Sequence, residues 1–192
     1  MNEAEIAQTI ASIVREMAGK KAETPAVPSA FEKPAPAAEP PHRHADGHVC
    51  KCGKRMSLAI AKALCEEVER EAVKRGMKIV AAVCDAGGNP VCVYCMDDAY
   101  IASYDVAVNK AFTSVSLQMP TSKLAALAAP GGPLYGIQFT NGGKLVIFGG
   151  GEPLYYNEKM IGGFGVSGGT LEEDTALGEF ARDRFKEVIS CL

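Results

Sequence analysis

Hydrophobic and polar positions alternate with two different periods along this chain, and each change of period marks a predicted element. After residue 56, apolar residues recur every three or four positions in four stretches, which is typical of amphipathic helices. Short runs of apolar and β-branched residues separate these stretches and favour strands. The predicted helices cover about residues 57–75, 100–116, 121–129 and 170–188, and the predicted strands cover 79–84, 91–96, 144–148, 153–156 and 160–166. This order predicts an α+β fold, an antiparallel sheet of five strands with helices on one face.

Residues at the predicted helix ends support these boundaries. Ser57 is a favourable N-cap for the first helix of this region, and Gly76 is a favourable stop after it. Thr170 and Glu173 have the spacing of a capping box at the start of the last helix.

A separate amphipathic helix is predicted at the N-terminus, over residues 2–17. Its apolar residues recur at spacings of three and four and form one stripe: Ile6, Ile10, Ile13, Val14 and Met17. A helix this short is marginally stable alone in water, so we expect it to form when its stripe docks on a surface. That surface is either a partner protein or this chain's own domain or oligomer.

Composition divides the chain into four parts. Six of the 11 prolines lie in the Ala-rich stretch between Ala22 and Pro41, which cannot form a helix interior or a central strand. We therefore divide the chain into a docking helix (1–19), a Pro/Ala-rich linker (20–41), a His/Cys patch (42–56) and a main domain (57–192). The formal net charge is −3, which removes the usual electrostatic basis for nucleic-acid binding. No apolar run is long enough to span a bilayer, and no secretory signal is evident, so a cytoplasmic protein is expected.

The His/Cys patch is the sharpest local feature, because it holds every histidine of the chain. Five side chains that can ligate Zn or Fe lie within eleven residues: His42, His44, His48, Cys50 and Cys52. Their spacing differs from that of a structural zinc site, since Cys50 and Cys52 form a C-x-C pair with no second pair at ribbon distance. The alternative interpretation is a solvated polar linker end.

The other five cysteines are predicted to pack rather than to react. Cys92 and Cys95 have the C-x-x-C spacing of redox pairs, but they lie on a predicted strand, where residues three apart point to opposite faces. Cys65, Cys84 and Cys191 have no histidine in the main domain to act as a base.

An ordered set of motifs in the main domain, most of them rich in glycine, resembles the haem-binding GlcG/HbpS family, which includes the C-terminal domain of the PduO protein. The motifs occur in the order Val83–Gly88, Lys110–Thr113, Pro130–Gly132, Gly149–Leu154 and Gly162–Gly169. The resemblance covers essentially residues 57–189. It implies a profilin-like fold, a five-stranded antiparallel sheet with flanking helices, and assembly into homo-oligomers.

The resemblance also implies binding of haem or a related tetrapyrrole. The candidate cofactor-binding residues lie in the motifs: Asp85, Lys110, Gly131, Gly132, Ser167, Gly168 and Gly169. The glycine-rich run into the last helix offers backbone amides that suit a carboxylate, although these glycines also suit close strand–helix packing. Since the main domain has no histidine, the candidate iron ligands within it are Tyr100, Tyr104, Tyr135 and Met119.

The N-terminal helix and its tether separately resemble the encapsulation peptides that bring cargo into bacterial microcompartments. The leading hypothesis is therefore an oligomeric cofactor-binding protein in a microcompartment lumen, with the helix docked on a shell or core protein. One alternative is a metal-dependent redox or cofactor-processing enzyme that uses the His/Cys patch. Another is a structural adaptor without a ligand.

Overall fold

The computed structural model describes residues 54–191, so the predictions for the docking helix, the linker and most of the His/Cys patch lie outside it. Within this range it has four α-helices, four strands and two short 3₁₀ turns. In chain order they are α1 (Leu58–Lys74), β1 (Val80–Asp85), β2 (Pro90–Cys95), α2 (Ser103–Ser116), α3 (Thr121–Ala128), the 3₁₀ turns Ile137–Phe139 and Asn141–Gly143, β3 (Gly151–Tyr156), β4 (Lys159–Ser167) and α4 (Leu171–Cys191).

The four strands form one antiparallel sheet in the order β2-β1-β4-β3. In the middle of the sheet, Ala82 of β1 lies opposite Val93 of β2 and Gly165 of β4. The larger core lies on the face covered by α1 and α4, where Leu64 and Phe185 are buried among inward residues of the sheet. A smaller core lies on the other face, under α2. Helices therefore flank both faces, which corrects the expectation of helices on one face.

The N-caps predicted at Ser57 and Thr170 are confirmed. The side chain of Ser57 accepts a hydrogen bond from the Ile60 amide at 3.2 Å, at the start of α1. At the start of α4, the Thr170 amide donates to the Glu173 carboxylate at 2.8 Å, and the Glu173 amide donates to the Thr170 hydroxyl at 3.2 Å. This reciprocal pair is a capping box.

The expected fifth strand at residues 144–148 is not found. This segment is irregular, and its backbone is hydrogen-bonded to the side chain of Thr113 on α2 instead of to a strand. The Val146 amide donates to the Thr113 hydroxyl at 3.0 Å, and the proton of that hydroxyl has the Asn109 carbonyl at 2.7 Å and the Lys144 carbonyl at 3.3 Å as acceptors. A helix side chain thus satisfies polar groups that a sheet ladder would otherwise satisfy.

The glycines of β4 allow α2 to lie directly against the sheet. A Cβ atom on Gly165 would lie 2.1 Å from the Ala107 carbonyl oxygen, and one on Gly163 would lie 2.7 Å from the Ala111 carbonyl oxygen. Both are too close for any side chain, so these family motif positions serve packing. No helix within residues 54–191 combines the length and the apolar content needed to cross a membrane.

Candidate functional site

Three separate segments meet at one end of the sheet and enclose a cleft of about 530 Å³. They are residues 54–58 before and at the start of α1, residues 85–87 in the β1–β2 turn, and residues 159–161 at the start of β4. We call this space the basic cleft. Its volume lies in the range typical of small-molecule sites, about 300–1,000 Å³.

The β1–β2 turn forms one wall of the basic cleft and is organised by Asp85. The Asp85 carboxylate accepts from the Gly87 amide at 2.8 Å and from the Asn89 amide at 2.9 Å. Burial opposes ionisation of Asp85, but the hydrogen bonds from Asn89 and Gly87 outweigh it and hold the pKa of Asp85 below its usual value. Asp85, a predicted binding residue, therefore lines the cleft, but its charged carboxylate is already hydrogen-bonded within its own turn.

Three cations line the basic cleft, and they differ in how they are held. Lys54 donates to the Ile189 carbonyl in the last turn of α4 at 2.5 Å and lies over the Tyr156 ring. This contact fixes the entering chain against a helix C-terminus, where positive charge is favourable. Arg55 and Lys159 are exposed, and within residues 54–191 no carboxylate lies at ion-pair distance from either.

The same cleft has an apolar part. Met56 is 7% exposed and packs in the larger core, with its terminal methyl group 3.0 Å from where a Cβ atom on Gly162 would lie. Ile161 is buried, and the partly buried Met160 lies beside it on β4. The cleft thus combines an apolar floor with cationic groups at its edge, an arrangement that suits an amphiphilic anion.

Lys110, a predicted binding residue, lies elsewhere and is fully buried. Its ammonium donates to the Asp174 carboxylate at 2.6 Å and to the Val166 carbonyl at 2.7 Å, and it lies 4.9 Å from the Phe148 ring centroid. Burial lowers the pKa of Lys110, and the charge of Asp174 opposes that shift. A Cβ atom on Gly150 would lie 2.8 Å from the ammonium nitrogen, so this glycine leaves room for the buried ion pair.

The glycine-rich run before α4 does not present its amides freely. The Gly169 amide donates to the Asp174 carboxylate at 2.9 Å, and the Thr170 amide is held in the capping box. The Ser167 hydroxyl donates to the Ser103 hydroxyl at 3.2 Å, and Gly168 has a φ of 149°, where a Cβ atom would lie 2.3 Å from the Lys78 carbonyl oxygen. These predicted binding residues lie near the buried ion pair and away from the basic cleft.

The remaining predicted binding residues of the domain are also outside the basic cleft. Gly131 and Gly132 lie in the loop after α3, where a Cβ atom on Gly132 would lie 2.3 Å from the Leu127 carbonyl oxygen. None of the candidate iron ligands lines the basic cleft: Tyr104 and Tyr135 are exposed, Met119 is partly buried, and Tyr100 lines a separate cavity together with Gly168 and Gly169.

Among the cysteines of residues 54–191, Cys65 and Cys84 are buried as predicted, Cys92 is partly buried, and Cys95 and Cys191 are exposed. Cys92 packs against the larger core on the α1 side, whereas Cys95 is exposed, so the C-x-x-C pair does not share an environment. Burial, followed by the neighbouring Cys92, raises the pKa of the Cys65 thiol. Burial raises the pKa of the Cys84 thiol to about 12. Thiols with raised pKa values are poor nucleophiles and poor metal ligands at neutral pH.

The predicted metal ligands lie outside the described residues: His42, His44, His48, Cys50 and Cys52. The same is true of the stripe Ile6, Ile10, Ile13, Val14 and Met17. Within residues 54–191, no group of three or more His, Cys, Asp or Glu side chains is placed to hold a metal ion.

Sequence reasoning missed most of the basic cleft. Only Asp85 among its residues was a predicted binding residue, and Arg55, Met160 and Lys159 were not. The one available signal was the basic run after Cys52, since Lys54 and Arg55 belong to the His/Cys patch. Nothing local connects that run with residue 159, because the two meet only in the folded domain.

The described residues form an α+β domain, with a four-stranded antiparallel sheet and helices on both of its faces. The amphiphilic cleft at one end of the sheet has the volume of a small-molecule site. A model of the family described as haem degrading protein HbpS-like matches residues 56–182. The chain belongs to this HbpS-like family.

Similar sequences and structures agree with this family. The chain is 44% identical, over 69% of its length and 94% of the relative's, to a 15.0 kDa protein from the dhaT-dhaS intergenic region of Citrobacter freundii. It is 35% identical to the corrinoid adenosyltransferase PduO of the same organism, but the match spans 38% of PduO. Among solved structures, Klebsiella pneumoniae ORFY aligns over 72% of this chain and 98% of its own with a TM-score of 0.66 and 37% identity. PduOC, solved in complex with haem, aligns over 68% of this chain and 94% of its own with a TM-score of 0.65 and 32% identity.

Proposed function

We propose that this protein binds haem or a related tetrapyrrole and does so as a homo-oligomer inside a bacterial microcompartment. The observation that carries the binding part is the 32% identity, over 68% of the chain, to a protein solved with haem. Membership of the HbpS-like family supports it further. The adenosyltransferase activity named for PduO is not proposed here, because the match spans only 38% of that relative.

We assign the iron ligand to the His/Cys patch. The domain at residues 57–192 contains no histidine, and all three histidines lie between His42 and His48. Imidazole and thiolate are both established haem ligands, and the patch supplies both kinds of group. Bound haem would supply redox-active iron, while the protein would set its exposure and its axial ligands.

Titration of the reduced full-length protein with haemin tests this proposal. We expect a saturable shift of the Soret band, which the double variant His48→Ala and Cys50→Ser changes in position or weakens in affinity. Cys95→Ser is the matched control, since Cys95 is an exposed thiol on β2 outside the patch. Absence of a saturable Soret shift in the wild-type protein would remove haem from the account.

Metal analysis of the same preparations separates this proposal from direct binding of Zn or Fe by the patch. Haem binding predicts iron that is extracted together with porphyrin. Metal that is present without porphyrin and is lost when Cys50 and Cys52 are replaced by Ser would favour the enzyme alternative.

Delivery to a microcompartment is proposed for the N-terminal helix. Its support is the single apolar stripe of residues 2–17 followed by a Pro/Ala-rich tether, a layout that resembles encapsulation peptides. A fluorescent reporter fused to residues 1–20 should form puncta in cells that produce shells, and replacement of Ile10 and Ile13 by Asp should disperse them. Diffuse signal from the unchanged fusion would contradict delivery by this segment.

Homo-oligomer formation is supported by large apolar side chains on the domain surface. Ile101 is 97% exposed and Phe139 is 82% exposed, although burial of such groups is favourable. Light scattering after size-exclusion chromatography should give a multiple of the 20.2 kDa chain mass. A monomer at micromolar concentration would contradict the proposed homo-oligomer.

A further inference from the structure

We propose that the basic cleft is the tetrapyrrole site and that Arg55 and Lys159 bind the carboxylates of the tetrapyrrole edge. This inference rests on the proposed function, because it takes haem as the ligand. It adds the place of binding and the residues that recognise the charged edge. Neither Arg55 nor Lys159 belongs to a glycine-rich motif.

The cleft has the chemistry that a dicarboxylate porphyrin requires. Such a ligand has a broad apolar face, which favours an apolar floor, and two negative groups at one edge, which favour cations. Met56, Met160 and Ile161 provide the floor, and Arg55 and Lys159 provide exposed cations at the edge of a space of about 530 Å³.

The negative charge of Asp85 does not cancel these cations by direct pairing. Its carboxylate is occupied by the amides of Gly87 and Asn89 and by the side chain of Asn89. Lys54 is held by the Ile189 carbonyl, so it positions the wall of the cleft. Arg55 and Lys159 are therefore the two cleft cations whose charged ends remain for a ligand within the described domain.

The cleft is continuous in sequence with the proposed iron ligands. Residues 54–56 belong both to the His/Cys patch and to the cleft wall.

The competing site is the glycine-rich run before α4, where Gly168 and Gly169 line a separate cavity of about 310 Å³, but the amides that open its helix are already hydrogen-bonded within the protein. The Gly169 amide is paired with Asp174, and Asp174 is paired with the buried Lys110. A ligand carboxylate at the Gly169 amide would have to displace Asp174 Oδ1, an oxygen of the same carboxylate that pairs through Oδ2 with the buried Lys110.

The first experiment removes the charges. Haemin affinity is measured by Soret titration for the wild type, Arg55→Gln, Lys159→Gln and the double variant. We expect the dissociation constant to rise about threefold for each single variant and about tenfold for the double variant, as for exposed ion pairs. Lys123→Gln, an exposed lysine on α3 outside the cleft, is the control and should change nothing.

The second experiment removes the carboxylates of the ligand and, separately, fills part of the cleft with a larger side chain. With iron protoporphyrin dimethyl ester, which lacks free carboxylates, the double variant should bind as the wild type does. Ala86→Trp places a large side chain in the turn that lines the cleft and should weaken haemin binding more than tenfold. Ala126→Trp, an exposed alanine on α3, is its matched control.

The outcomes separate this inference from the proposed function. If the wild type fails to bind haemin, both the proposed haem binding and the assignment of the cleft as its site are wrong. If the wild type binds and the cleft variants bind equally well, the basic cleft is not the site, although haem binding stands. If the double variant loses as much affinity for the ester as for haemin, Arg55 and Lys159 do not recognise carboxylates.

Discussion

The basic cleft and the buried ion pair of Lys110 and Asp174 both place cations near the sheet. The cations differ in exposure and in whether the protein itself supplies their partners. Lys110 is fully buried and bound to the chain's own carboxylate and carbonyl. Arg55 and Lys159 are exposed over an apolar floor. A lysine in one of the motifs is therefore a poor guide to a ligand, because Lys110 is bound internally and the nearby glycines make room for this ion pair and for helix packing.

Removing one member of the buried ion pair should have the largest effect. Asp174→Ala leaves the Lys110 ammonium and the Gly169 amide without their partner, and we expect a loss of about 3–5 kcal/mol in the free energy of unfolding. Urea denaturation at fixed protein concentration measures this loss. The apolar replacement Lys110→Met with Asp174→Leu should be less destabilising than Asp174→Ala, and the opposite order would contradict a structural role for the pair.

Adding one methyl group to β4 should lower the free energy of unfolding less than removing one member of the buried ion pair does. Gly165→Ala brings a Cβ atom to 2.1 Å from the Ala107 carbonyl oxygen, so α2 must move away from the sheet. We expect a loss of about 1–3 kcal/mol in the free energy of unfolding, measured by urea denaturation. A change within measurement error would show that α2 is not held tightly against β4.

The smallest change in the free energy of unfolding is expected at the turn that lines the cleft. This change should depend on pH. Because the folded-state pKa of Asp85 lies below the value of 3.8 for the free side chain, its charge stabilises the fold above pH 3.8. That contribution is lost as the pH falls through the folded-state pKa. Asp85→Asn should therefore cost about 0.5–1 kcal/mol at pH 7 and less at pH 3. A cost that grows on acidification would contradict the assigned direction.

Local sequence patterns were sufficient for most of the domain's elements. The helix periodicity, the Ser57 cap and the Thr170–Glu173 capping box all depend on residues within a few positions of one another, and all are found. The predicted fifth strand is absent, and the Val146 amide is instead bonded to the side chain of Thr113, a partner 33 positions away that local patterns do not reveal.

The candidate site was harder to predict because it is assembled from distant segments. Residues 54–58, 85–87 and 159–161 converge only after the sheet forms. Likewise, Lys110 meets Asp174 across 64 positions, so its burial could not be inferred from the helix that carries it. Asp85 was a candidate because it lies in one of the motifs that carry the resemblance, and the turn that it organises is a local property of the sequence.

One haemin titration tests the contrast between the two regions most directly. It compares the Soret-band dissociation constants of two double variants, Arg55→Gln with Lys159→Gln and Lys110→Met with Asp174→Leu, each checked by circular dichroism for the wild-type fold. We predict that the cleft variant raises the dissociation constant about tenfold and that the ion-pair variant leaves it within about twofold. A large loss in the ion-pair variant with unchanged binding in the cleft variant would contradict this account.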